Sequence, residues 1–182
     1  ICACLVGSEM CIRDRGKAAL NAHYKRIGWN ARAQEGAVDG WYQTKFTLKE
    51  EPLVSILIPN KDHTDDLDVC LNSFFERADY QNYEFIIIEN NSVLPETFAY
   101  YEKIEKEHDN VKVVYWEAGF NYSAINNFGF KFAKGDYIML LNNDVELITP
   151  DIFQSMLGFC MRPEVGIVGA KLLYNDHTVQ HA

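Results

Sequence analysis

Long apolar runs are missing from this sequence: none approaches the roughly 20 residues of a membrane-spanning helix. Ile1–Val6 also lacks the basic leader and apolar core of a secretory signal. Basic residues are scarce, with 17 Lys and Arg against 26 Asp and Glu and a formal charge of −9. An acidic surface repels phosphate backbones, so nucleic acid is not an expected partner. By the same sign, a bound polyphosphate needs a metal to bridge like charges. The five cysteines, Cys2, Cys4, Cys11, Cys70 and Cys160, are odd in number and lack metal-ligand spacing. Cys70 and Cys160 fall on apolar faces of predicted helices, where the buried, reduced thiols of a cytoplasmic protein are expected. Glycine signatures are absent too. No Gly-x-Gly-x-x-Gly follows the first strong strand, which excludes the dinucleotide fingerprint. The P-loop pattern and the Gly-x-Ser-x-Gly elbow of α/β hydrolases are also missing. A nucleotide bound here is therefore held by side chains and a metal, not by a glycine loop.

What is present suits one soluble domain with a real core, at 48% hydrophobic and 24% charged residues. Residues 1–15 read as foreign, because Gly7-Ser8-Glu9-Met10-Cys11-Ile12-Arg13-Asp14-Arg15 resembles translated sequencing-adapter read-through. Residues 16–51 form an N-terminal helix and linker. In the helix, Ala19, Leu20, Tyr24 and Ile27 recur at helical spacing among basic residues; packing on this domain or on one upstream is its expected role. Gly36–Glu51 is turn-rich, with one edge strand expected and Trp41, Tyr42 and Phe46 as anchors.

From Pro52 to Ala182 strands and helices alternate. Leu53–Ile58, Phe85–Ile88 and Val111–Tyr115 are apolar and β-branched, hence buried strands. Between them, a helix capped by Thr64 carries Leu67, Cys70, Leu71, Phe74 and Phe75 on one stripe. Another from Pro95 buries Phe98, Tyr101 and Ile104, and one after Asn121 turns Ile125, Phe128 and Phe132 inward. Tyr137–Leu141 is expected as the central strand, buried on both faces. A helix opened by Thr149-Pro150-Asp151 and a last strand over Val165–Val168 complete the series. This order predicts an α/β fold with a mostly parallel, doubly wound sheet. In such sheets, ligands sit outside the carboxyl ends of the strands, where the strand order reverses.

Those ends are polar. They carry Lys61-Asp62, Glu89-Asn90, Glu117 with Asn121, and Asn142-Asn143-Asp144. Asn and Asp also serve ordinary turns, but four polar tips on apolar strands point to a site. An acid at such a tip can hold a divalent cation, and the cation a diphosphate.

These residues resemble family 2 glycosyltransferases of the GT-A fold. The likeness rests on Val54-Ser55-Ile56-Leu57-Ile58-Pro59, on Leu67, Leu71 and Ser73, and on Phe85-Ile86-Ile87-Ile88-Glu89-Asn90-Asn91-Ser92. Asn127-Phe128-Gly129, Ala133-Lys134-Gly135-Asp136-Tyr137 and Asn142-Asn143-Asp144 continue it. Asn121–Asn127 and Thr178–Ala182 are similar to bacterial rhamnosyltransferase-like members that build surface polysaccharide. The resemblance implies an inverting transferase that moves a sugar from a UDP- or dTDP-sugar to a saccharide or lipid-linked saccharide acceptor. It also implies peripheral membrane association of the full-length protein. Pro59, Asp62, Glu89, Asn90, Asn142 and Asn143 would line the donor pocket, and Asp144 would ligate Mg²⁺ or Mn²⁺. Two departures stand out: Asn142 replaces the first acid of the family's Asp-x-Asp signature, and Asn90 stands where an acid often contacts the base. The catalytic base is expected beyond Ala182, since Asp151 and Asp176 lie in the wrong contexts.

A non-catalytic module that binds a sugar nucleotide or packs beside an active domain is the alternative. A receiver-like phosphoacceptor fits Asn60-Lys61-Asp62 and Trp116-Glu117 poorly. Lys171 and His181 are solvated rather than phosphate ligands in the plainer reading. Trp116 reads as a core or rim aromatic, and His63 and His108 as surface histidines.

Overall fold

The computed structural model describes residues 8–36 and 38–181. In chain order the elements are α1 (Ser8–Arg26), β1 (Ala31–Glu35), β2 (Tyr42–Phe46), β3 (Val54–Asn60), α2 (Thr64–Arg77), β4 (Tyr83–Glu89) and α3 (Pro95–Glu107). They continue with β5 (Val111–Tyr115), α4 (Tyr122–Phe130), β6 (Tyr137–Leu140), α5 (Ile152–Cys160), β7 (Leu172–Leu173) and β8 (Val179–His181). Residues 50–151 form one compact unit; the described residues up to Lys49 and from Ile152 onward form another. The segment expected to be foreign lies outside the described residues up to Gly7, and from Ser8 onward its backbone is the first part of α1.

In the second of these units, β1 and β2 pair antiparallel, with Ala31 opposite Phe46 and Glu35 opposite Tyr42. The linker thus contains a hairpin where one edge strand was expected. Its chain turns through Asp39-Gly40, with Gly40 at φ 81°, a left-handed conformation that glycine adopts without strain. Phe46 anchors this unit, its ring meeting Phe159 edge-on at 4.7 Å. Trp29 stacks on Tyr24 at 5.6 Å and carries the Arg162 guanidinium over its face at 4.1 Å. Trp41, by contrast, is 71% exposed. Val165–Val168 is irregular, and the strands of this stretch are instead the short antiparallel pair β7–β8.

Residues 50–151 build a four-stranded, all-parallel sheet in the order β5-β4-β3-β6. The chain starts at β3, steps outward to β4 and β5, then returns across β3 to lay down β6. Strand order therefore reverses between β3 and β6. Side chains alternate between the two faces of the strands. Leu57, Ile86, Ile88 and Val114 point to one face, where they close a core with Ile125 of α4. Phe85 points to the other and meets the rings of Phe74 and Phe75 of α2, each at 5.6 Å. Helices cover both faces, as the alternating pattern required.

Three details depart from the expectations. β6 is not central: it pairs with β3 alone among the described strands, is half-buried, and leaves Leu140 52% exposed. Thr64 is the first residue of α2, and neither it nor His63 closes the helix with a side-chain bond. On α3, Thr97 takes the buried position expected of Phe98, which lies partly outside.

The turn into β6 is fixed from below. Ser55 Oγ donates to Glu84 Oε1 (2.7 Å) and accepts from the Gly135 N–H (2.8 Å), while the Lys134 N–H donates to Glu84 Oε1 (2.7 Å). A Cβ on Gly135 would stand 2.5 Å from the Leu53 carbonyl oxygen and 2.7 Å from the Ser55 nitrogen. Only glycine lets the backbone come this close to β3.

Candidate functional site

The carboxyl ends of β3 and β6 flank the strand-order reversal, where an open parallel sheet leaves a crevice. A side-chain hydrogen bond spans that reversal, Asn143 Nδ2 donating to Asn60 Oδ1 at 2.7 Å. Asn60, 2% exposed, also donates through Nδ2 to the Tyr101 hydroxyl (2.8 Å) and the Asp62 carbonyl (3.2 Å). Its own carbonyl accepts the Asn90 N–H at 2.9 Å, tying the tips of β3 and β4 together.

Glu89 ends β4 and is 3% exposed. Its Oε1 accepts the Ser92 N–H (2.5 Å); its Oε2 accepts the Ser92 hydroxyl (2.6 Å) and the Tyr101 hydroxyl (2.9 Å). Both carboxylate oxygens are thus occupied within the protein, as a buried charge requires. Burial pushes the Tyr101 hydroxyl above the usual phenol range; the bond from Asn60 opposes this and the Glu89 charge reinforces it.

Asp62 follows β3 at φ 58°, a left-handed conformation that Asp tolerates better than most residues. Its Oδ1 accepts the N–H groups of Val93 and Leu94, each at 3.0 Å, and the Thr97 hydroxyl at 3.2 Å. The carboxylate therefore sits on the amino terminus of α3, where helix dipole and free amides favour an anion. The Leu94 N–H, against a smaller opposing effect of burial and helped by Val93, Thr97 and Lys61, holds its carboxyl below the usual range.

The loop after β6 is pinned at its far side. Ser73 Oγ accepts the Leu147 N–H (2.9 Å), and Arg77 pairs with Glu146 at 2.8 Å and donates to the Leu147 carbonyl at 2.9 Å. Near its start, the Cys70 thiol lies 3.8 Å from the Asn142 carbonyl oxygen, and burial pushes that thiol up to about 12. Asn142 and Asp144 are exposed, Asn143 and Pro59 half-buried, and Asn90 is 8% exposed.

The structure thus joins Asp62, Glu89 and Asn143 into one network through Asn60, Ser92 and Tyr101, three residues that sequence reasoning passed over. Asn60 and Ser92 were legible as neighbours of predicted tips; Tyr101 read only as an apolar-face residue. Asn121 has a plainer task, capping α4 by accepting the Ala124 N–H at 3.0 Å. Trp116 packs on Phe128 at 5.5 Å, and His108 is stacked on Phe75 at 4.0 Å rather than free on the surface. Lys171 and His181 are exposed and belong to the other unit. An open hollow of about 430 Å³ is lined by Thr64, Asp65, Asp68, Val69, Tyr100 and Lys103, and no strand-tip residue borders it.

No group of three His, Cys, Asp or Glu side chains converges on a metal-sized space among the described residues. The tip of β6 offers one carboxylate, Asp144, beside two amide oxygens. That donor set suits a hard cation sharing its remaining ligands with phosphate, as Mg²⁺ commonly does. No helix among the described residues is long and apolar enough to cross a membrane.

Relatives bear on this geometry. O-antigen biosynthesis protein RfbC of Myxococcus xanthus is 38% identical over 167 residues, covering 92% of this chain and 13% of RfbC. Protein y4gI of Sinorhizobium fredii is 37% identical over 170 residues, covering 93% of this chain and 19% of y4gI. The chain therefore spans less than a fifth of either relative. Among solved structures, the mannosyltransferase PcManGT from Pyrobaculum calidifontis, in complex with GDP-Man and Mn²⁺, superposes with a TM-score of 0.59 at 13% identity. That match covers 87% of this chain and 44% of PcManGT. S. aureus TarS 1-349 gives 0.50 at 20% identity, over 59% of this chain and 32% of TarS, and both likenesses speak to the fold alone. The sequence model of Glycosyl transferase family 2 matches residues 55–181, and the chain belongs to that family.

Proposed function

We propose that this chain is the donor-binding part of an inverting glycosyltransferase of bacterial surface-polysaccharide synthesis, taking a nucleoside diphosphate sugar with a divalent cation. The observation that carries the reading is the set of polar tips at the strand-order reversal, where Asn60 at the end of β3 is bonded to Asn143 in the loop after β6, with Asp62, Asn142 and Asp144 as their near neighbours in sequence. Membership of the family supports sugar transfer. The O-antigen relative supports the pathway class, and the complex of PcManGT with GDP-Man and Mn²⁺ supports the donor class.

In this reading, the nucleoside sits against the tips of β3 and β4, over Pro59, Asp62 and Asn90, with Glu89 beneath them. Asn142 and Asn143 offer amide groups to ribose or diphosphate, and the exposed Asp144 holds Mg²⁺ or Mn²⁺. A cation bound there supplies Lewis-acid stabilisation of charge on the departing diphosphate. Asn142 in place of an acid removes one negative charge from a surface that must accept a polyanion. The acceptor is a saccharide or lipid-linked saccharide, whose hydroxyl attacks opposite the diphosphate and gives its proton to a carboxylate. No described residue is assigned that role.

Calorimetric titration with UDP, dTDP and GDP, each with Mn²⁺ and with EDTA, tests the reading. At least one nucleotide binds with Mn²⁺ and loses about tenfold or more in EDTA or in Asp144→Ala, some 1.4 kcal/mol. Equal binding in both media would remove the cation from the mechanism.

A further inference from the structure

Resting on the donor site just described, we propose that Glu89 and Tyr101 are positioning residues. The Glu89 carboxylate, acting through Tyr101 and Asn60, sets which end of the Asn143 amide faces outward from the strand-tip loop.

Two series of hydrogen bonds run one way and end on the same oxygen. In the first, Asn143 Nδ2 donates to Asn60 Oδ1 (2.7 Å), Asn60 Nδ2 to the Tyr101 hydroxyl (2.8 Å), and that hydroxyl to Glu89 Oε2 (2.9 Å). In the second, the Asp62 N–H donates to Ser92 Oγ (2.8 Å) and the Ser92 hydroxyl to Glu89 Oε2 (2.6 Å). An ionised carboxylate only accepts, whereas a hydroxyl or a primary amide does both. Glu89 therefore dictates direction: each group upstream must turn a donor toward it and an acceptor away. Tyr101, Asn60 and Glu89 are 1%, 2% and 3% exposed, which leaves water little room to break the series. At the far end, Asn143 must present its nitrogen to Asn60, and its carbonyl oxygen is turned away from that partner. That oxygen lies between Asn142 and Asp144 in sequence, as an acceptor for a cation or a sugar hydroxyl.

The logic can be reversed with almost no change of shape. In Glu89→Gln, Oε1 still accepts the Ser92 N–H, but an NH₂ group now meets Tyr101. The hydroxyl must accept it and donate onward to Asn60 Oδ1. Asn60 then turns its nitrogen to Asn143, whose carbonyl rotates inward and whose NH₂ rotates outward. The reversal gives up the weak bond from Asn60 Nδ2 to the Asp62 carbonyl at 3.2 Å, and it turns the Ser92–Glu89 bond round, so that the Ser92 hydroxyl proton must find another acceptor. Asn143→Asp does the complementary thing: in the wild-type background its carboxylate faces Asn60 Oδ1, and in the Glu89→Gln background it faces Asn60 Nδ2.

The test is a double-mutant cycle read by calorimetry, using Mn²⁺ and whichever of UDP, dTDP and GDP binds the wild type most tightly. Glu89→Gln and Asn143→Asp should each weaken binding about tenfold, the size expected when an acceptor is replaced by an opposed group. The double variant should return to within about threefold of wild type, a rescue that loss of packing cannot produce. Tyr101→Phe, which cuts the series without reversing it, should lose a smaller factor and serves if Glu89→Gln does not fold. Side-chain NMR supplies a readout free of ligand: the Asn143 NH₂ protons exchange slowly with solvent in the wild type and fast in Glu89→Gln. Additive losses in the double variant, or unchanged exchange in Glu89→Gln, overturn the proposal. Should the wild type bind none of the three nucleotides, the donor reading fails, and the exchange rates alone decide the relay.

Discussion

Glu89 and Asp144 are both acids at the carboxyl end of the same sheet, yet they live in opposite surroundings. Glu89 is 3% exposed and receives three hydrogen bonds from the protein. Asp144 is exposed at the start of a loop whose later residues are pinned to α2. A buried charge persists only where its lone pairs are matched, so Glu89 belongs to the folded framework. An exposed carboxylate keeps its water until something better arrives, so Asp144 remains available to a ligand. One acid is built into the strand-tip network and the other stands in solvent, although the two residue types alone do not distinguish them.

The largest expected effect separates the two acids. Glu89→Ala leaves the Ser92 and Tyr101 donors without their acceptor and should destabilise the fold by about 3 kcal/mol. Asp144→Ala should stay within about 0.5 kcal/mol of wild type. Urea denaturation of both variants checks this, and similar losses would erase the distinction. Next comes the base of β6. Gly135→Ala forces a Cβ against the Leu53 carbonyl and the Ser55 nitrogen, and should cost about 2 kcal/mol in the same assay.

A third acid, Asp62, lies between these extremes, and pH reads it. Its folded carboxyl is held low, chiefly by the Leu94 N–H. Its charge therefore contributes stability above the ordinary carboxylate pKa of about 3.9, and that contribution fades as pH falls through the lower folded value. Asp62→Asn keeps an acceptor and tolerates the left-handed backbone, so it isolates the charge. Melting curves should show a wild-type advantage that is constant above about pH 5 and shrinks below pH 4. An advantage unchanged at pH 3 would count against the helix-end placement. The smallest effect belongs to the solvated face of α3. Lys106 and Glu102 pair at 3.6 Å with each side chain 76% exposed, and Lys106→Ala should change stability by less than about 0.5 kcal/mol.

Local chemistry made part of this fold readable. Val111–Tyr115 was legible to the residue, because a β-branched run between a charged helix and a polar turn has few other uses. Periodicity says nothing about what lies beside a strand. Tyr137–Leu141 has the composition of a central strand, yet β6 pairs only with β3 among the described strands. Val165–Val168 shows the limit of short apolar runs, since Gly166 and Gly169 interrupt the stretch and its backbone is irregular. The polar tips pointed to a site, but the network joining them runs through Tyr101 of α3. A tyrosine on an apolar face shows its ring in the pattern and hides its hydroxyl.

Cys70 gives the strand-tip loop a clock. Its thiol is 1% exposed and lies 3.8 Å from the Asn142 carbonyl oxygen, with its ionisation pushed up to about 12. A thiol so placed reacts with an alkylating reagent only after local opening exposes it and lets it reach an ordinary reactivity. With the other four cysteines replaced by serine, the labelling rate then reports how readily the chain opens around that thiol. The ratio of that rate to the rate of a free thiol is the fraction of time the protein spends open there, measured without unfolding it.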